Sequence, residues 1–193
     1  LPALKDKRVA LFANHTAVVR GKHILDLLID NNVNVVGVFA PEHGFRGTAD
    51  AGEHVKNSTD KKTGVPIFSL YNGKDGTPNI KVLKETDVLV VDIQDVGLRF
   101  YTYYISMLQL MNACAKTKTT MMILDRPNPN GCYVDGPVLD MKYKSGVGAL
   151  PIPVVHGLTL AEMASMINGE GWLEGGEPCQ LEIIACRNYK HST

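Results

Sequence analysis

Short apolar runs alternate with stretches of helical period along the first two-thirds of the chain. Arg8 to Ala13, Val33 to Phe39, Pro66 to Leu70, Asp87 to Ile93 and Thr120 to Leu124 are rich in Val, Ile and Leu, as strands covered on both faces should be. A sixth run, Gln180 to Cys186, comes late. Between the runs, His23 to Asn32 places Ile24, Leu27 and Leu28 on one helical face, and Thr102 to Lys116 does the same with Ile105, Leu108 and Met111. A third helix is predicted from Thr159, where Thr-Leu-Ala-Glu forms a capping box with Glu162, to Gly169. This alternation predicts a parallel sheet built from βαβ units. Residues 126–158 break the pattern. Pro, Gly and Asn crowd them, which predicts a long ordered loop over one end of the sheet.

Composition narrows the function classes. Lys plus Arg and Asp plus Glu both total 20, so no basic excess points to nucleic acid as a partner. The uncharged stretch of helical period, Phe100 to Ala115, is interrupted by Thr, Ser, Gln, Asn and three Tyr. It falls short of the roughly 20 apolar residues of a membrane span. Cys114, Cys132, Cys179 and Cys186 show no C-x-x-C spacing, which removes support for a zinc knuckle or a thioredoxin-type motif. Cys114 and Cys186 are expected as small buried apolar groups.

In an open α/β sheet, ligands bind beyond the carboxyl ends of the strands, and here those positions are polar. Asn14, His15 and Thr16 follow the first strand, Glu42, His43 and Arg46 the second, and Tyr71 to Lys74 the third. Asp92, Gln94, Asp95, Arg99, Tyr101 and Tyr103 follow the fourth, and Asp125, Arg126 and Asn128 the fifth. The turn after the first strand lacks G-x-G-x-x-G, and no P-loop or G-x-S-x-G elbow occurs. A nucleotide cofactor and a Ser nucleophile therefore find no support, and no cofactor is expected.

What remains is Glu42, Asp92, Asp95 and Asp125 among His, Arg and Tyr neighbours. Paired carboxylates suit glycoside hydrolysis, in which one protonated acid serves the leaving oxygen and a second group stabilises or attacks the sugar cation. They equally suit a divalent metal with His15, His43 or His156 as nitrogen ligands. A purely structural use is also open: strand-end Asp residues cap turns, Asp95 and Arg99 can pair, and Asp125 to Pro127 can organise its loop.

The runs PEHGFRG (41–47), DIQDVGLRFYTY (92–103), DRPNPNG (125–131), DGPVLD (135–140) and PVVHGLT (153–159) together resemble the NamZ-type exo-β-N-acetylmuramidase family. The resemblance extends over nearly the whole chain. It implies a Rossmann-like domain, and with the strand pattern above the chain is read as a three-layer α/β domain over residues 1–193, an open parallel sheet with helices on both faces and strand order 3-2-1-4-5. A smaller second domain is expected beyond the Asn188 to His191 run. The implied activity is release of terminal N-acetylmuramic acid from peptidoglycan-derived muropeptides or disaccharides, outside the cytoplasm. No metal is expected, because Asp92 and Asp95 lie three apart just past a strand, too near the turn to present two side chains on one strand face. A non-catalytic muropeptide-binding module and a metal-dependent hydrolase are the rival readings.

By position, the family's PEHG glutamate is Glu42, the implied general acid, with Asp92 as its catalytic partner. Asn14, His43, Gln94, Asp95, Tyr101, Tyr103, Asp125, Arg126, Asn128 and His156 are expected to bind substrate. Arg46 and Arg99 are expected to hold the lactyl carboxylate that distinguishes muramic acid from glucosamine, since a guanidinium grips a carboxylate with two parallel hydrogen bonds.

Overall fold

A computed structural model describes residues 2–41, 45–46, 57–70 and 76–192. In chain order its elements are β1 (Arg8–Ala13), β2 (Val18–Val19), β3 (Lys22–His23), α1 (Ile24–Asp30), β4 (Asn34–Ala40), β5 (Ser58–Thr59) and β6 (Pro66–Ser69). These are followed by α2 (Ile80–Lys84), β7 (Val88–Asp92), α3 (Tyr103–Thr117), β8 (Thr120–Leu124), α4 (Leu160–Gly169) and β9 (Leu181–Ile184). Among the described residues, seven strands form one sheet in the order β5-β6-β4-β1-β7-β8-β9, with β2 and β3 a separate hairpin. All neighbours in the large sheet are parallel except β5 against β6. The predicted runs one to six are β1, β4, β6, β7, β8 and β9, so the expected order 3-2-1-4-5 holds and the sixth run adds an edge.

Alternation along each strand divides the core into two. Ala10 and Phe12 of β1, with Leu89 and Val91 of β7, join Leu83 of α2 and the apolar faces of α3 and α4. Val9, Leu11 and Ala13, with Val88 and Val90, join Ile24, Leu25 and Leu28 of α1. Helices therefore cover both faces, and every residue of β7 is buried, as successive side chains pointing to opposite faces require. The chain is α/β and Rossmann-like.

The capping box forms as the sequence implies. Glu162 N donates to Thr159 Oγ1 at 3.3 Å, and Thr159 N donates to Glu162 Oε2 at 2.7 Å. Helix α2 gave no sequence signal, because it is barely more than one turn and only Leu83 is buried. Cys114 and Cys179 are buried, whereas Cys186 is only half-buried and Cys132 is exposed. The expectation of burial thus fits Cys114 and not Cys186, which lies just past the end of edge strand β9.

Residues 126–158 lie against the loop between β7 and α3. Leu98 and Asp135 both form antiparallel bridges with Val155, Arg99 N donates to Val154 O at 2.8 Å, and His156 N donates to Gly97 O at 3.1 Å. The Tyr104 hydroxyl accepts from Ala149 N at 3.1 Å. The predicted long loop is thereby held over the carboxyl ends of the strands.

Candidate active site

The carboxyl ends of β1, β7 and β8 are joined by a polar network. Asn14 is fully buried after β1; its Nδ2 donates to the Tyr103 hydroxyl at 3.0 Å, and its Oδ1 accepts from both the backbone and the hydroxyl of Thr16. Thr16 Oγ1 in turn accepts from Gln94 N at 3.1 Å. Gln94 Nε2 donates to Asp95 O and to Pro127 O, at 2.6 and 2.7 Å. Arg126 Nε donates to Asp92 Oδ1 at 2.6 Å. The network therefore runs unbroken from β1 through β7 to the loop after β8. Tyr101 and Tyr103 stack edge to face at 4.7 Å at the start of α3.

Two further residues hold the loops behind this rim. Asn128 Nδ2 donates to Leu158 O at 3.0 Å and its Oδ1 accepts from Asn130 N at 2.8 Å. Gly97 has φ +76°, and a Cβ there would collide with the Asn128 amide, so only glycine fits. Asp125 accepts from Ala161 N at 3.1 Å in the first turn of α4, and burial raises its carboxyl above the usual range. Asp125 thus tethers the first turn of helix α4, a contact the sequence reading did not name.

The two arginines expected to hold a lactyl carboxylate are occupied by the protein. Arg46 is bidentate to Asp60, with Nε and Nη2 each at 3.0 Å, and reaches Asp26 at 3.3 Å. Lys62 completes the cluster by donating to Asp26 at 2.7 Å. Arg99 Nη1 donates to the carbonyls of Pro137 and Ile152, at 2.8 and 2.7 Å. It fastens the long loop and is not paired with Asp95. Arg126 is engaged through Nε alone, by Asp92, and keeps 25% side-chain exposure.

Asp95 and His156 are buried, at 7% and 5% exposure. Asp95 Oδ1 accepts from Gly97 N at 2.8 Å, and desolvation pushes the carboxyl up to about 6. His156 Nδ1 accepts from Leu158 N at 3.2 Å, and burial lowers the ring to about 4. His156 is accordingly neutral at pH 7, with both ring nitrogens facing protein.

Glu42 and His43, together with Tyr71 to Lys74, lie outside the described residues. His15 is exposed, next to Thr16. Among the described residues, no group of three or more His, Cys, Asp or Glu side chains is placed to hold a metal ion. No described helix is long and apolar enough to cross a membrane. A cavity of about 490 Å³ lies elsewhere, between α3, residues 141–151 and Trp172, and Asp92, Gln94 and Arg126 do not line it.

Sequence reasoning passed over His23. It caps α1, its Nε2 lies 2.9 Å from Asn14 O, and its ring packs edge to face on Phe45. Its place just ahead of the apolar face of α1 was the available signal. Asp26 and Asp60 carried no such sign, because their partner Arg46 lies 20 and 14 residues away in sequence.

The chain matches the family model described as exo-β-N-acetylmuramidase NamZ, N-terminal, over residues 9–193. It is 46% identical over 190 residues to a peptidoglycan β-N-acetylmuramidase NamZ of Bacillus subtilis (strain 168), covering 97% of this chain and 45% of that protein. Two crystal structures of DUF1343 family proteins from Bacteroides fragilis NCTC 9343 superpose over 100% of the chain, each with a TM-score of 0.90. One is 58% identical and the other 39%, and the chain covers 50% and 48% of them. The chain thus spans about half the length of these relatives.

Proposed function

From its place in the NamZ exo-β-N-acetylmuramidase N-terminal family, to which this chain belongs, we propose that it contributes to a glycosidase that releases terminal N-acetylmuramic acid from peptidoglycan fragments outside the cytoplasm. The observation that carries the reading is the polar rim itself. Asp92–Arg126, Thr16–Gln94 and Asn14–Tyr103 converge at the carboxyl ends of three adjacent strands, where open α/β sheets bind ligands. This chain is 46% identical to a protein named for that activity.

Glu42 is the proposed general acid. It gives its proton to the glycosidic oxygen as the bond to the anomeric carbon breaks. The sugar's own 2-acetamido oxygen is the proposed nucleophile, because the two carboxylates at the carboxyl end of β7, Asp92 and Asp95, are poorly placed to attack. Asp92 is 3% exposed and bound by Arg126, and Asp95 is 7% exposed and bound by the Gly97 amide. Arg126 is the proposed cation for the lactyl carboxylate in place of Arg46 and Arg99, since it lies at the rim and only its Nε is engaged, by Asp92, whereas Arg46 spends both Nε and Nη2 on Asp60 and Asp26.

Turnover of a chromogenic N-acetylmuramide, with and without chelator, tests the proposal. Release that survives chelator supports it. Release abolished by chelator would favour the metal-dependent hydrolase, and binding without release would favour a muropeptide-binding module.

A further inference from the structure

The loop from Ile93 to Leu98 is tied down on every side but one. Gln94 is fixed to Thr16 and Pro127, Val96 O accepts from Asn130 Nδ2 at 2.8 Å, and Gly97 O accepts from His156 N at 3.1 Å. Among the described residues, two buried side-chain atoms have no hydrogen-bond partner, Asp95 Oδ2 and His156 Nε2. They belong to the same pair of side chains, with His156 Nε2 4.0 Å from Asp95 Oδ1. Buried polar atoms are nearly always satisfied, so an orphan imidazole nitrogen 4.0 Å from a buried carboxylate that itself carries an orphan oxygen marks a contact one short movement from closing.

Their chemistry is complementary. Leu158 N–H points at His156 Nδ1, so that nitrogen must keep its lone pair and the proton of the neutral ring must sit on Nε2. The same N–H opposes imidazolium, which would set two donors against each other. Asp95 is held at Oδ1 by the Gly97 amide, with its other oxygen unbound. The titratable group that acts on this pair is the Tyr104 hydroxyl, through Asp95; Arg99 acts on Tyr104 and is itself engaged with the Pro137 and Ile152 carbonyls.

We propose that Asp95 and His156 form a positioning pair, in which His156 Nε2–H donates to the Asp95 carboxylate and thereby locks the Ile93–Leu98 loop to residues 153–158 beneath the rim. An approach of about 1 Å brings the two to charge-assisted hydrogen-bond distance. Neither residue touches substrate. The pair holds the backbone from which Asp92 and Gln94 are presented, and its effect on turnover rests on the glycosidase reading above.

The test has one arm independent of activity. Long-range proton–nitrogen NMR of the imidazoles should show His156 protonated on Nε2 alone at pH 7.5, with no imidazolium formed down to pH 5, and a protected Nε2 proton at pH 7.5 that disappears in Asp95→Asn. A His156 ring protonated on Nδ1, or one titrating near pH 6.5, would overturn the proposal. In the second arm, Asp95→Asn and His156→Phe should lower kcat about tenfold or more with KM little changed, the scale of losses at groups that orient a site. His156→Gln, whose amide N–H replaces Nε2–H, should recover most of the loss. Unchanged kcat in all three variants would leave no positioning role. A wild-type protein that binds muramide without cleaving it would instead defeat the glycosidase reading, and the tautomer measurement would still decide the pair.

Discussion

Arg126 Nε meets Asp92 Oδ1 at 2.6 Å across the ends of β7 and β8, burying the carboxylate to 4% side-chain exposure while the guanidinium keeps 25%. The pair is asymmetric: the acid is the anchor and the base is the part a ligand can reach. Asp92 ends a strand whose five residues are all buried, so its position is set by the sheet and passed on to Arg126.

Asp92→Asn should therefore keep the fold and release Arg126. We expect kcat on a muramide to fall about tenfold or more, with the divalent-metal content of the purified protein unchanged by elemental analysis. A stoichiometric metal lost together with activity in this variant would move Asp92 into a metal centre.

Arg46→Ala should act on stability. Asp60 and Asp26 are buried to 5% and 6% exposure and would lose their shared guanidinium. Removing one partner of a largely buried ion cluster costs about 2–4 kcal/mol, discounted here because Arg46 itself is 32% exposed. Urea denaturation should show the loss, while the preference for muramide over glucosaminide stays as in the wild type. A change in that preference at unchanged stability would restore Arg46 as a reader of the lactyl group.

This difference between Arg46 and Arg126 marks what a sequence can convey. The strands were legible because both faces are covered and the runs are apolar throughout, and with the strands came the positions just beyond them, Asn14, Asp92, Gln94 and Arg126. What those side chains bind was not legible. Arg46 finds Asp60 and Asp26 only when α1 and the segment after β5 are brought together. Arg99 was expected to meet Asp95 or a ligand, yet it fastens two carbonyls 38 and 53 residues away. Side-chain pairing of this kind depends on tertiary placement, of which residue type and spacing carry no trace.

Opposite pH slopes are expected from Asp95 and His156. Asp95 titrates near 6 when folded against an ordinary 3.8, so the folded state binds its proton more tightly and stability falls as pH rises from about 4 to 6. His156 titrates near 4 against 6.5, so the unfolded chain holds that proton and stability rises over about pH 4 to 6.5. Each effect is about 3 kcal/mol at 1.36 kcal/mol per pH unit, and in the wild type they largely cancel. Relative to wild type, thermal denaturation of His156→Gln should show Tm falling from pH 4 to 6, and Asp95→Asn should show it rising. Parallel slopes in the two variants would refute the assignment.

The proposed acetamido nucleophile makes turnover sensitive to the sugar's own substituent. Replacing the N-acetyl group of a chromogenic muramide by N-trifluoroacetyl withdraws electrons from the attacking oxygen and should slow release strongly. Equal rates for the two substrates would return the role to a protein carboxylate.

The central claim, a muramidase working through a carboxylic acid at Glu42, is tested most directly by comparing chromogenic N-acetylmuramide release by the wild-type protein and Glu42→Gln at equal thermal stability. The account expects release by the wild type and a loss of at least about a hundredfold in the variant, the low end of what general acid catalysis contributes. Release by Glu42→Gln at near wild-type rate would contradict it.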